Sequence, residues 1–296
     1  MRYVISLAIA LALTLPFAAY ADEGDRLPVW QIDGEQNRVY LLGSIHLLRE
    51  QDYPLPAAFD SVYADADTLI MELDMDDMDP VESQTLANEM GLIQDGRTLR
   101  DLLGDDTYAE AESLAEASQV PLSLLAGAEP WFAAMNVEVM LLMRMGFNPN
   151  YGVETYFADR AANDGKEILG LETMRQQLGF LDGLSAEAQR DMFMQALSEG
   201  ADLREIMDAT ITAWRTGDVA FMENELLGDM EQYAELNQII VVDRNIDWTH
   251  QIEALLDDEI DYLIVVGTLH LVGEEGVPEL LEARGHRVTQ LSESSD

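Results

Sequence analysis

The sequence predicts an α/β (α+β) protein, a mixed central sheet interrupted by a large helical insertion, and three observations carry that prediction. Short apolar runs rich in β-branched residues are separated by stretches of helical periodicity. One run, Asp261-Tyr262-Leu263-Ile264-Val265-Val266, is continuously apolar after its first residue, as a strand covered on both faces must be. Finally, Leu42-Gly43-Ser44-Ile45-His46-Leu47 and Val266-Gly267-Thr268-Leu269-His270-Leu271 share one pattern, reading as two Gly-x-x-His strand-end turns related by an internal repeat.

The elements follow in order. Residues 1–21 read as a secretory signal peptide, with Arg2, an apolar run from Tyr3 to Leu15, and the small-x-small site Ala19-Tyr20-Ala21 before Asp22. The cut is expected after Ala21, which makes the mature protein periplasmic or secreted. Residues 22–291 are expected to form a single domain. Pro28–Ile32 and Arg38–Leu42 are strand-like and flank the turn-rich stretch 33–37, so a hairpin is expected. A short helix follows Pro54-Leu55-Pro56, and Thr68–Leu73 is the next strand. Helical patterning fills the insertion, about 80–147, and a helix from about Val153 leads to Asp164-Gly165. Lys166–Leu171 is a strand ending at Glu172, and residues 173–258 are mostly helical, with breaks near Gly183 and Gly217. A helix from Val277 and a strand from His286 to Leu291 close the domain, and 292–296 is expected to be a disordered tail.

Composition narrows the chemistry. The chain has no cysteine, so thiolate metal sites, cysteine nucleophiles and disulfides are excluded. Without Arg2, 15 basic residues face 57 acidic ones, and Lys166 is the single lysine. Such a surface repels nucleic acid and anionic lipid. It is tolerable where salt screens charge within ~8 Å or less, which points to a halophilic or halotolerant bacterium. No stretch outside the signal segment is long and apolar enough to span a membrane. Peptides or small molecules remain as partners.

The two turns are the sharpest feature. The chain has four histidines, and two of them stand in one context, 224 residues apart. Glycine permits a sharp turn or a close backbone approach, the following hydroxyl can bond nearby backbone, and the histidine is presented at a strand end, where open α/β sheets bind ligands. Glu72 and Glu172 each follow an apolar strand, where an unpaired carboxylate is costly. Two imidazoles with a carboxylate and no thiolate suit a divalent metal ion such as Zn, Mn or Co. Arg244, beside the apolar Val241-Val242, has two available roles: a clamp or oxyanion stabiliser, or a surface ion pair with Asp243 or Asp247. The run Asp74, Asp76, Asp77, Asp79 lacks the glycine and terminal glutamate of a calcium loop and reads as a solvated loop. His250 and His286 lack the repeated context and read as structural or surface residues.

Five ordered motifs resemble the TraB/GumN family, which includes the Tiki-type proteases. They are Leu42–Leu47, Leu69-Ile70-Met71-Glu72-Leu73-Asp74, Gly165–Thr173 with Glu172, Asp243-Arg244-Asn245, and Val266–Gly273. Glu154, in Tyr151-Gly152-Val153-Glu154, stands where the family pattern leads one to expect aspartate. The resemblance implies that both histidines, a glutamate and an arginine meet in one centre. In the Tiki-type branch it implies metal-dependent peptide cleavage with manganese or cobalt, and it implies a fold similar to erythromycin esterases, where a histidine activates water without metal. The resulting expectation is a metal-dependent, peptidase-like hydrolase. His46, His270 and Glu72 would be metal ligands, Glu172 a general base or further ligand, and Arg244 the oxyanion stabiliser. The alternatives are a metal-free hydrolase with histidine as base, or a non-catalytic protein binding a peptide or small ligand.

Overall fold

The computed structural model describes residues 26–198, 203–228 and 233–293; the expected signal segment and the end of the expected tail, 294–296, lie outside them. Strands β1 (Arg26–Asp33) and β2 (Arg38–Ser44) form the expected hairpin. Helix α1 (Ala57–Asp65) leads to β3 (Thr68–Leu73). The insertion folds as α2 (Pro80–Gly91), α3 (Leu99–Leu103), α4 (Asp105–Ala117) and α5 (Pro130–Arg144). Then come α6 (Val153–Asp164), β4 (Ile168–Glu172), α7 (Met174–Asp182), α8 (Ala186–Ser198), α9 (Leu203–Arg215), α10 (Val219–Leu227) and α11 (Ala234–Asn237). A π-helical turn (Gln238–Val242) runs into α12 (Asp243–Leu255), followed by β5 (Tyr262–Gly267), α13 (Val277–Ala283) and β6 (Val288–Ser292). The last strand therefore takes in Ser292, one residue of the expected tail.

The six strands lie in the order β4-β3-β5-β2-β1-β6. The first four are mutually parallel, and β1 is antiparallel to both its neighbours, so the sheet is mixed. Period-two alternation sorts the strand side chains onto two faces. Tyr40, Leu42, Leu69, Met71, Leu263 and Val265 join the core that holds Phe59, Phe157 and Trp214. Val39, Leu41, Ile70, Ile264 and Val266 face the second core with Trp248 and Ile252. The helical insertion has its own core, in which Ala133, Ala134, Val137 and Leu141 of α5 meet Phe193, Ala196 and Leu197 of α8. The helical layer thus recruits α8 from beyond residue 147.

This topology brings four parallel strands to an end on one side of the sheet, with Ser44 opposite Gly267 and Leu73 opposite Glu172. The Gly-x-x-His turns sit side by side, but their likeness stops there: the second continues as a 3-10 turn, Thr268–Leu271, while the first continues as an irregular segment. The two glycines are also one residue out of register, since Gly43 pairs with Val266. Close approach explains Gly43, where a Cβ would stand 2.8 Å from Thr268 Oγ1, a hydroxyl that donates to Ser44 O (2.9 Å). Among the described residues no helix is long and apolar enough to cross a membrane.

Candidate active site

His46, Glu72 and His270 converge on Gly267. A Cβ on that glycine would lie 3.3 Å from Glu72 Oε1, 3.5 Å from His46 Nε2 and 3.7 Å from His270 Cδ2. The missing side chain leaves the space in which those groups meet. Glu172 and Arg244 adjoin them, so all five residues singled out from the sequence occupy one centre.

Arg244 is its hub. It is 8% exposed and stacks over Trp248, 4.6 Å from the ring centre. Nε donates to Glu172 Oε1 (2.9 Å), and Nη2 donates both to Glu172 Oε2 (2.9 Å) and to Glu72 Oε2 (2.8 Å). Nη1 reaches Ile240 O (3.1 Å) and His270 Nε2 (3.0 Å). These contacts occupy all five guanidinium N–H groups. The surface alternative is not what forms: Asp243 accepts from Gln238 and Asp247 from Gln251. The π-helical turn places Ile240 O where the arginine side chain folds back on it. Glu172 is equally committed, its Oε1 also accepting from Trp248 Nε1 (2.9 Å).

The two histidines differ. His270 is buried and rests on Trp248, with ring centres 4.4 Å apart. Because Nε2 faces a permanent donor on Arg244, the network assigns the proton to Nδ1, which donates to Asn245 Oδ1 (2.7 Å). Burial, aided by Arg244, pushes its pKa down to about 3. His46 is open, its side chain 58% exposed, and its Nδ1 lies 2.7 Å from Glu154 Oε1. The Glu154 carboxylate holds the imidazole proton well above the ordinary range, to about 10. Glu154 also accepts from Ser44 Oγ. Burial raises its own pKa, but His46 and the hydrogen bonds from His46 and Ser44 outweigh that and lower it. Glycine explains how α6 gets so close: a Cβ on Gly152 would collide with His46 O, and Val153 N donates to Ile45 O (3.2 Å). Burial likewise raises Glu72, while His270, His46, Arg244 and the Gly267 N–H pull it down to about 2. Of these, Arg244 stays charged at every relevant pH.

An acid-stability prediction follows from His270. The unfolded chain takes up its proton below about 6.5, whereas the folded protein resists to about 3. Stability therefore falls as pH drops through that window, by up to about 1.4 kcal/mol per pH unit. His270→Gln, which has no titrating ring, is expected to flatten the slope in denaturant titrations run at successive pH values; parallel slopes would refute a neutral buried imidazole.

Several partners had no sequence signal strong enough to select them: Gln177, which donates to Glu72 Oε2 (2.9 Å), Asn245 and Trp248. Asn245 was visible only as the neighbour of Arg244. Of the other two histidines, His286 pairs with Glu253 (3.0 Å) and His250 is exposed. In the acidic run, Asp79 caps α2 and Asp74 accepts from the backbone of Asp76 and Asp77.

Fold and site together define an α/β protein with a histidine- and carboxylate-rich centre at the carboxyl ends of adjacent parallel strands. The chain belongs to the TraB/PrgY/gumN family, whose model matches residues 28–290. It is 23% identical over 254 residues to the uncharacterized protein YbaP of Escherichia coli (strain K12), an alignment covering 82% of this chain and 87% of YbaP; the YbaP of Shigella flexneri aligns to the same extent. An uncharacterized protein of Treponema pallidum is 22% identical over 192 residues, 64% of this chain and 57% of its own. No solved structure matches.

Proposed function

We propose that this protein is a hydrolase in which His46, held by Glu154, activates water beside Glu72. The observation that carries the reading is the asymmetry of His46: Nδ1 is tied to a part-buried carboxylate, while Nε2 has no partner among the described residues and points to the space over Gly267. Neutral His46, donating from Nδ1 to Glu154, offers Nε2 as the base; the resulting imidazolium is stabilised by Glu154 and returns the proton to the leaving group. Glu72 Oε1 accepts from Gly267 N (2.8 Å) and retains acceptor capacity for the same water. Arg244, with every donor engaged, acts by positioning Glu72 and His270, and Glu172, with both carboxylate oxygens engaged, holds Arg244 in place. A cleft of about 520 Å³, lined by Leu73, Met78, Leu86, Glu172 and Met174 among others, adjoins the ends of β3 and β4 and offers room for a peptide or small-molecule substrate.

For the expected metal ligands, His46, His270 and Glu72, to hold one ion, the contact between Arg244 Nη1 and His270 Nε2 (3.0 Å) would have to give way. Among the described residues no group of three or more His, Asp or Glu side chains is placed to hold an ion. One observation favours a second reading with a divalent ion (Mn, Co or Zn): each histidine has Nδ1 fixed by a side-chain oxygen at 2.7 Å, as metal-ligating imidazoles do. Chelation separates the two. Activity that survives removal of metal supports the His46 base; activity lost to chelator and regained with Mn, Co or Zn selects the ion.

The pH profile gives a further test. With its proton held up to about 10 by Glu154, His46 becomes a base only as pH rises, so the rate should climb on the alkaline side. Glu154→Gln removes the charge, and the rising limb should move down towards the ordinary imidazole range near 6.5. Identical limbs in both proteins would exclude His46 as the titrating base.

A further inference from the structure

Gln177 lies one turn into α7, half-buried, and its side chain reaches Glu72 across 105 residues of sequence. We propose that Gln177 is a positioning residue that fixes the Glu72 carboxylate for the hydrolysis proposed above, a reading on which this inference rests. Glu72 Oε2 is held from two sides, by Arg244 Nη2 at 2.8 Å and Gln177 Nε2 at 2.9 Å, while Oε1 is held by Gly267 N at 2.8 Å. Arg244 alone cannot set the orientation. Its Nη2 is shared with Glu172, so of the two contacts that Glu72 makes without Gln177 only the Gly267 N–H is given to it alone, against a χ3 torsion that is intrinsically broad. Gln177 approaches from a different helix and adds a second donor to Oε2, narrowing the remaining χ3 range. Oε1 then stays on the Gly267 side, where His46 Nε2 lies.

The adjacent glutamine provides an internal contrast. Gln176 belongs to its own helix: its Oε1 accepts from Thr173 N (2.8 Å) and Thr173 Oγ1 (2.9 Å) in a capping box. Two neighbouring residues of one type thus divide into a helix cap and a carboxylate clamp. A neutral amide suits the second role. It donates to Glu72 without adding a charge that would compete with Arg244, and an acid at this position would repel Glu72.

The test uses the full chain at high salt, with melting temperature and, on peptide or ester substrates, kcat and KM as readouts. Gln177→Met keeps the length and removes the donor. It should lower kcat about tenfold to a hundredfold, as small misplacements of a catalytic group do, with KM changed less than about twofold. Gln177→His, which restores an N–H at similar reach, should recover most of the rate. Gln176→Met should lower the melting temperature and leave kcat unchanged. In a cycle with Glu72→Ala, the melting shift of Gln177→Met, about 2–4 °C, should vanish once Glu72 is gone. Wild-type kcat in Gln177→Met, or melting shifts that simply add, would overturn the proposal. A wild type that cleaves nothing would reject the hydrolase reading alone. The melting cycle then decides the matter: coupling supports Gln177 as the clamp on Glu72, and additivity overturns it.

Discussion

Arg244→Met is expected to destabilise the fold by about 3–5 kcal/mol, the range for removing one partner of a buried ion pair. Glu172, only 5% exposed at its side chain, would keep a single donor, Trp248 Nε1. Glu72 would lose its permanent positive neighbour. Methionine keeps the arginine's aliphatic stem and removes the guanidinium that stacks over Trp248, so the loss reports the charged head more than the stem. Denaturant unfolding at constant salt measures it. Adding Glu172→Gln should recover part of the loss, because a neutral amide tolerates the same pocket. A loss below about 1 kcal/mol, or no recovery in the double variant, would contradict the arginine's role as the cation that makes this acidic centre possible.

The largest effect on activity is expected at His46. His46→Gln has no basic nitrogen, and hydrolysis should fall by about 10²–10⁴-fold, the usual contribution of a positioned acid–base residue. The side chain is more than half exposed, so the fold should survive. His250→Gln, at an exposed histidine outside the centre, controls for general effects of histidine removal. The measurement is kcat with a circular-dichroism melt on the same sample. Equal rates in wild type and His46→Gln would remove His46 from the chemistry.

Much of this architecture was legible in the sequence because strands advertise themselves through continuous burial. Thr68–Leu73 was bounded to the residue, and the strand at Tyr262–Gly267 within one. The centre was legible as composition at strand ends: His46, Glu72, Glu172 and His270 all follow apolar runs, and Arg244 stands beside one. Partnership was not legible. Arg244 had nearby aspartates as available mates, yet it turns inward, because a buried and a part-buried carboxylate at strand ends outcompete hydrated ones. The two histidines looked equivalent by motif, but a 3-10 turn buries one and an irregular segment exposes the other. Gln177 and Trp248 lie on helices whose polar and aromatic residues gain meaning only from what the sheet brings opposite them. Glu154 was noticed as a departure from the family pattern; its function as the His46 partner depends on Gly152, which lets α6 come against the His46 backbone.

The most direct test of the central claim is cleavage of a peptide library by the metal-stripped wild-type protein at high salt across neutral to alkaline pH. The water-activating His46 predicts new peptide termini that accumulate with turnover and rise with pH. Absence of product at every pH, with or without added Mn, Co or Zn, would contradict it and leave the strand-end centre as a binding site.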